Sequence, residues 1–157
     1  MKWSIVLEMK KIILLSLLAF LPLLADAYDV QIDGIYYNLN QETKQAEVTY
    51  KSYDSYSGII VIPSSVRYNG YVYSVTSIGE KAFYRCIRLT SVTVPNSVIS
   101  IGSHSFAECS TALKSVTIGN SVNSIGRWAF YDCKGITSIT IPNSVTSINN
   151  SAFYGCI

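Results

Sequence analysis

Histidine is nearly absent from this chain: His104 is the only one in 157 residues. A lone histidine excludes a His-pair metal centre and leaves any Ser-His-Asp triad resting on one side chain. Charge is sparse as well, with 12 lysines and arginines against 10 aspartates and glutamates. No basic stripe runs through the sequence, so the electrostatic footprint of a nucleic-acid or anionic-membrane binder is missing. None of the four cysteines forms a CxxC pair, the close spacing that a tetrahedral zinc site usually uses. Neither GxxxxGK(S/T) nor GxGxxG occurs, which removes the phosphate-loop and dinucleotide fingerprints, and nothing else points to a cofactor.

Long apolar runs are limited to one. Lys10 and Lys11 precede an apolar stretch from Ile12 to Leu24, and Ala25-Asp26-Ala27 supplies an A-x-A cleavage signal, so residues 1–27 read as a secretory signal peptide. The stretch is shorter than the ~20 residues that span a bilayer, so no membrane span is expected after cleavage. Met9 opens a more ordinary signal than Met1, which places Glu8 ahead of the lysines. Cleavage would leave nine basic residues against eight acidic ones, a nearly neutral chain beginning at Tyr28.

What remains is organised by repetition. Phe83, Phe106, Phe130 and Phe153 fall 23, 24 and 23 residues apart. Cys86, Cys109, Cys133 and Cys156 each follow their Phe by three residues, and Ile78, Ile101, Ile125 and Ile148 each precede it by five. The units VTSIGEKAFYRC, VISIGSHSFAEC, VNSIGRWAFYDC and VTSINNSAFYGC are joined by strand pieces LTSVTVPNS, LKSVTIGNS and ITSITIPNS. One extra residue in Ser110-Thr111-Ala112 accounts for the slip in spacing. Within a strand piece Val92 and Val94 alternate with Ser91, Thr93 and Pro95, the period of a half-buried strand. A short helical stretch is expected to bring Phe106 and Cys109 to the same inner face. No unit can bury that face alone, so the coils must stack into one rod with a parallel sheet along one side.

These units resemble the BspA-like leucine-rich repeats of bacterial surface and secreted proteins, over residues 59–157. The segment YDVQIDGIYYNLN is similar to the stretch that commonly precedes such arrays. The resemblance implies an α/β leucine-rich-repeat solenoid, right-handed with a concave parallel sheet and short helices, that serves adhesion or other protein binding. Ser105 replaces the usual Ala before Phe, and Asn149 the usual Gly after Ile, departures too small to disturb the frame.

Residues 28–58 are expected to form a β-hairpin-rich N-terminal cap, and residues 59–157 the solenoid. Asp33-Gly34 and Asn69-Gly70 each lie between alternating apolar residues, a hairpin signature, and Ala46 to Tyr50 is a further strand candidate. Ile59 to Pro63 matches the later strand pieces and reads as repeat zero, with the Tyr68 to Ser74 hairpin inserted in it. The sequence stops where a further strand would begin, which suggests a truncated array.

Four cysteines in an exported chain suggest disulfides, but one per repeat at one register makes a ladder of parallel Cβ vectors, a poor disulfide geometry. Buried free thiols are the expectation. His104 and Glu108, four apart, read as a solvated pair on a helix, and the recurring Ser91, Ser115 and Ser138 as a column set by the fold. No enzyme is expected. Two surfaces remain as candidate partner-binding sites. One is the sheet face with Ser91, Thr93, Ser115, Thr117, Ser138 and Thr140. The other is the opposite side, where Tyr84, Arg85, Arg88, Arg127, Trp128, Tyr131 and Tyr154 vary most between units and supply hot-spot residue types. The expected location is secreted or cell-surface and the expected partner a protein, such as a host extracellular-matrix or cell-surface protein. The alternative is a glycan-binding or scaffolding module of a larger secreted protein.

Overall fold

The computed structural model describes residues 28–156, so the signal segment lies outside the described residues. The cap begins as a meander. Strands β1 (Val30–Ile32) and β2 (Ile35–Asn40) pair antiparallel across Asp33-Gly34, where both residues take positive φ, 49° and 82°, as a type I′ turn requires. β3 (Gln45–Thr49) returns antiparallel to β2. After β4 (Ser57–Val61), the inserted hairpin of β5 (Ser65–Tyr68) and β6 (Tyr71–Ile78) closes over Asn69-Gly70 with φ of 48° and 81°. Both hairpins are those that the Asp-Gly and Asn-Gly pairs predicted.

The coils follow, and they carry two parallel sheets where the sequence suggested one. The Ser-Ile pairs form short strands β8 (Ser100–Ile101), β10 (Ser124–Ile125) and β11 (Ser147–Ile148), which extend β6 in parallel. They give the order β1-β2-β3-β6-β8-β10-β11, with β5 beside β6. The strand pieces form a separate sheet of β4, β7 (Arg88–Thr93) and β9 (Ser115–Thr117). The turn at Asn96-Ser97 bends the chain between the two extended pieces of a coil, so they cannot share one sheet. Ile60 lies in register with Val92, so β4 extends the sheet of the strand pieces by one coil.

The expected short helices are absent among the described residues. Lys81 and Arg85, His104 and Glu108, Trp128 and Asp132, and Ser151 and Gly155 flank the four phenylalanines with φ from 55° to 80°. A residue in the left-handed region cannot continue a right-handed helix. Each stretch is instead a run of tight turns bonded to the next coil. The amides of Phe83, Phe106 and Phe130 donate to the carbonyls of Ser105, Ala129 and Ala152, each at 2.7 Å. Two residues in the left-handed region per coil, seven of the eight carrying a Cβ, are held there by these bonds between coils.

The three ladders stack as the spacing required. The four phenylalanine rings lie 4.9, 5.0 and 5.1 Å apart and within 3° of parallel. Tyr56, 4.6 Å from Phe83, extends this column into repeat zero. Ile78, Ile101 and Ile125 are buried beside it, as are Cys86, Cys109 and Cys133. Burial of each such side chain contributes roughly 1.5 to 3 kcal/mol.

All four thiols are free, and they do more than fill space. Cys109, Cys133 and Cys156 donate their S–H to the carbonyls of Phe83, Phe106 and Phe130 in the preceding coil, at 3.0, 2.9 and 3.0 Å. The thiol ladder therefore bonds coil to coil beside the aromatic one. Burial pushes the Cys86 thiol up to about 11.

Candidate binding surfaces

On the outer face of the β4-β7-β9 sheet, Ser91 stands beside Ser115 and Thr93 beside Thr117 in register. Ser138 and Thr140 continue the columns in sequence only. Residues 136–142 form no ladder with β9, contrary to the strand expected there, although Ile136, Ile139 and Ile141 still pack on the core. Among the described residues this outermost piece has a neighbour on one side alone. A groove of about 380 Å³ opens along the break, lined by Ser115, Thr117, Ser138, Thr140, Asn120 and Pro142.

The opposite side is built from the turns. The residue after each phenylalanine forms a column of Tyr84, Ala107, Tyr131 and Tyr154. Tyr131 and Tyr154, one coil apart, stack at 5.8 Å and 6°. Ala107 interrupts the column and is itself fully buried, and a cavity of about 290 Å³ beside it is lined by Tyr84, His104, Glu108, Trp128 and Tyr131. Three successive coils contribute to it, and a coil spacing of ~4.8 Å leaves two spacings between the Tyr84 and Tyr131 positions.

Glu108 lines this cavity and is held from the preceding coil. Tyr84 Oη donates to one carboxylate oxygen at 2.7 Å and Arg85 Nε to the other at 2.8 Å. Partial burial pushes the carboxyl up, but the bonds from Tyr84 and Arg85 outweigh it and hold the group below its usual range. The His104–Glu108 pair is thus not formed: both residues sit in left-handed turns, and Glu108 is engaged by the preceding coil. His104 packs on Trp128 at 4.8 Å, its Nδ1 buried without a hydrogen-bond partner. Arg127 covers Trp128 at 3.7 Å. Arg88 opens β7, pairs with Asp54 at 3.1 Å and does not line the cavity. Tyr154 lies one coil beyond the cavity and is exposed.

Glu108 and His104 are the members of the cavity that sequence reasoning did not assign to it. Their signal was register: each sits two residues from Phe106, as Arg85 and Trp128 do from their own phenylalanines. Among the described residues no group of three or more His, Cys, Asp and Glu side chains is placed to hold a metal ion. Nor, among them, is any helix long and apolar enough to cross a membrane.

The family model described as "BspA type Leucine rich repeat region" matches residues 73–157 in six copies. This chain belongs to the BspA-type leucine-rich repeat family. A leucine-rich repeat protein of Bacteroides ovatus is 36% identical with a TM-score of 0.72, covering 82% of this chain and 33% of its own. A leucine-rich cell surface protein of Faecalibacterium prausnitzii is 37% identical, TM-score 0.68, covering 81% and 34%. A leucine-rich repeat protein of Bacteroides capillosus is 37% identical, TM-score 0.70, covering 80% and 90%. The chain thus spans about a third of the first two relatives and most of the third. No match is found among the curated proteins.

Proposed function

We propose that this BspA-type solenoid is a partner-binding module of an exported or surface-displayed protein, without catalytic activity, and that it grips a protein through its turn side. One observation carries the reading. The tyrosine column is interrupted at Ala107, and beside the break a cavity is lined by Tyr84 and Tyr131 together with the Glu108 carboxylate. An aromatic side chain from a partner would complete the stack, as Tyr154 completes it for Tyr131. The likeness to a relative described as a cell surface protein supports the location, and the partner class this reading takes is a host matrix or cell-surface protein.

A rigid slot of this kind recognises without ordering loops, which keeps the entropic cost of binding low. The decisive variant is Ala107→Tyr, which closes the break at a register position where three other coils already hold tyrosine. Binding in pull-downs against matrix proteins should fall at least tenfold while the melting temperature stays within about 3 °C. Retention of full binding by that variant would reject the slot. A second reading, a glycan ring in the same slot, is favoured by the pairing of aromatic walls with a carboxylate acceptor. A glycan array that lights up where protein pull-downs stay blank would select it.

A further inference from the structure

The cap closes one sheet and leaves the other open. β3 pairs with β6 and carries the Ser-Ile sheet into the β1-β2-β3 meander, whereas the second sheet ends on β4 with nothing beside it among the described residues. The consequence is visible in its side chains. Ile60 points to the core yet stays only partly buried, while Val92 and Val116, one and two strands further in, are 0% and 5% exposed.

The outer columns change character at the same place. Where β7 and β9 carry Ser91, Thr93, Ser115 and Thr117, β4 carries Ile59 and Val61, 73% and 64% exposed. From Tyr56 to Ser65 there is no charged residue. Soluble proteins protect a free edge with lysines, charges, bulges or a covering loop; here a register shift at Gly58/Ile59 and Pro63, two residues past the strand, leave Ile59 to Val61 uncovered. Two bare aliphatic side chains on an uncharged, unpaired edge mark a surface that is covered in use.

The backbone groups say what covers it. Ile62 N–H donates to Thr93 O, so Ile60 and Ile62 direct their peptide groups to β7, and by alternation Ile59 and Val61 direct theirs outward. We infer that β4 pairs antiparallel with β4 of a second copy of this chain, about a two-fold axis through Ile60. Ile59 then faces Val61 of the second copy, and each such pair exchanges two N–H···O bonds, four in all. Ile60 meets its own copy as a close non-hydrogen-bonded pair, which supplies the missing cover over the core end. The outward Ile59 and Val61 of both copies form one apolar patch, and the two three-stranded sheets become one of six strands. The contact is self-complementary, which is what a two-fold interface demands. An uncharged edge meets its copy without electrostatic repulsion. Three residues a side make a small interface, so the dimer belongs to the weak, concentration-dependent class.

This inference is independent of the turn-side slot, since Ala107→Tyr leaves β4 untouched. Sedimentation velocity on the full chain across a concentration series should show a reversible monomer–dimer equilibrium. Hydrogen exchange should show the Ile59 and Val61 amides protected at high concentration and free at low. Val61→Pro removes an outward N–H and no bond to β7, a substitution that edge strands accommodate. It deletes two of the four bonds and should raise the dimer dissociation constant at least about tenfold. Val61→Lys serves as a second probe that keeps the N–H and sets two charges into the patch, and it should weaken the dimer similarly. A monomer at every concentration, with both amides exchanging freely, would overturn the inference. So would a dimer indifferent to both variants, open-ended growth beyond two copies, or protection of the edge only on adding a different protein.

Discussion

The middle coils and the last one carry nearly the same letters and have different surroundings. Ile101 and Ile125 are 2% and 0% exposed, while Ile148 in the same register is 50% exposed. Val98 and Val122 are fully buried, whereas Val145 is only partly so. Strand β9 pairs with β7, and the equivalent residues 138–140 form no strand pairing among the described residues. A coil's motif supplies half of an interface, and its stability comes from the neighbour that supplies the other half. That is nearest-neighbour behaviour, in which an end coil is the weakest link whatever its sequence.

The sharpest way to break this comparison is to remove the same ring in two places. Phe106→Ala deletes a ring stacked on both sides and should cost about 3 to 5 kcal/mol. Phe153→Ala deletes one stacked on one side and partly exposed, and denaturant melts should find less than half that cost. Equal losses would contradict nearest-neighbour stacking. Next comes the turn after each isoleucine. A Cβ on Gly126 would lie 2.6 Å from the backbone of Gly102 and Ser103, so Gly126→Ala should cost about 2 kcal/mol. The last coil already holds Asn149 at this position. Its amide keeps the bond to Ile125 O at 2.9 Å and its Nδ2 adds another, so Asn149→Gly should change stability by less than about 1 kcal/mol.

Alkali probes the thiol ladder. The Cys86 thiol is raised from 9.0 to about 11 by burial, so the folded state holds its proton where the unfolded chain has lost it. Its contribution is complete below pH 9 and is lost as the pH climbs to 11, on the order of 2 kcal/mol by then. Buried tyrosines Tyr37 and Tyr56, raised by the same desolvation, add to the loss at higher pH. Under reducing conditions Cys86→Ala should flatten the fall in melting temperature that begins at pH 9, and Cys156→Ala, at the half-exposed end, should flatten it less. A further substitution sharpens the comparison between repeats. Ser105 is buried with its Oγ unpartnered where the other coils have Ala82, Ala129 and Ala152. Ser105→Ala should raise stability by about 1 kcal/mol in a thermal melt.

Much of this architecture was legible because stacking copies one register through space. The intervals between Phe, Cys and Ile became ladders directly, and Asp33-Gly34 and Asn69-Gly70 marked their turns because few residue pairs accept positive φ twice. The helices were misread because Phe106 and Cys109, three apart, share a face in a helix and also in consecutive tight turns. Nothing in the residue types at Lys81, His104 or Trp128 announces a left-handed backbone. The second sheet escaped because two-residue strands such as Ser124–Ile125 are too short to show alternation. Of the candidate site, Tyr84, Trp128 and Tyr131 were found by their variability. Arg88 was grouped with them although the start of β7 carries it towards Asp54. The gap at Ala107 is legible only by reading the column down the stack, where the informative residue is the one that is missing.

Hydrogen exchange on the folded chain tests the stacking claim most directly. The amides of Phe83 and Phe106, which donate to the following coil, should exchange only through global unfolding, while those of Tyr154 and Cys156 exchange far faster. Uniform protection out to Cys156, or a Phe106 amide as labile as the last coil, would contradict it.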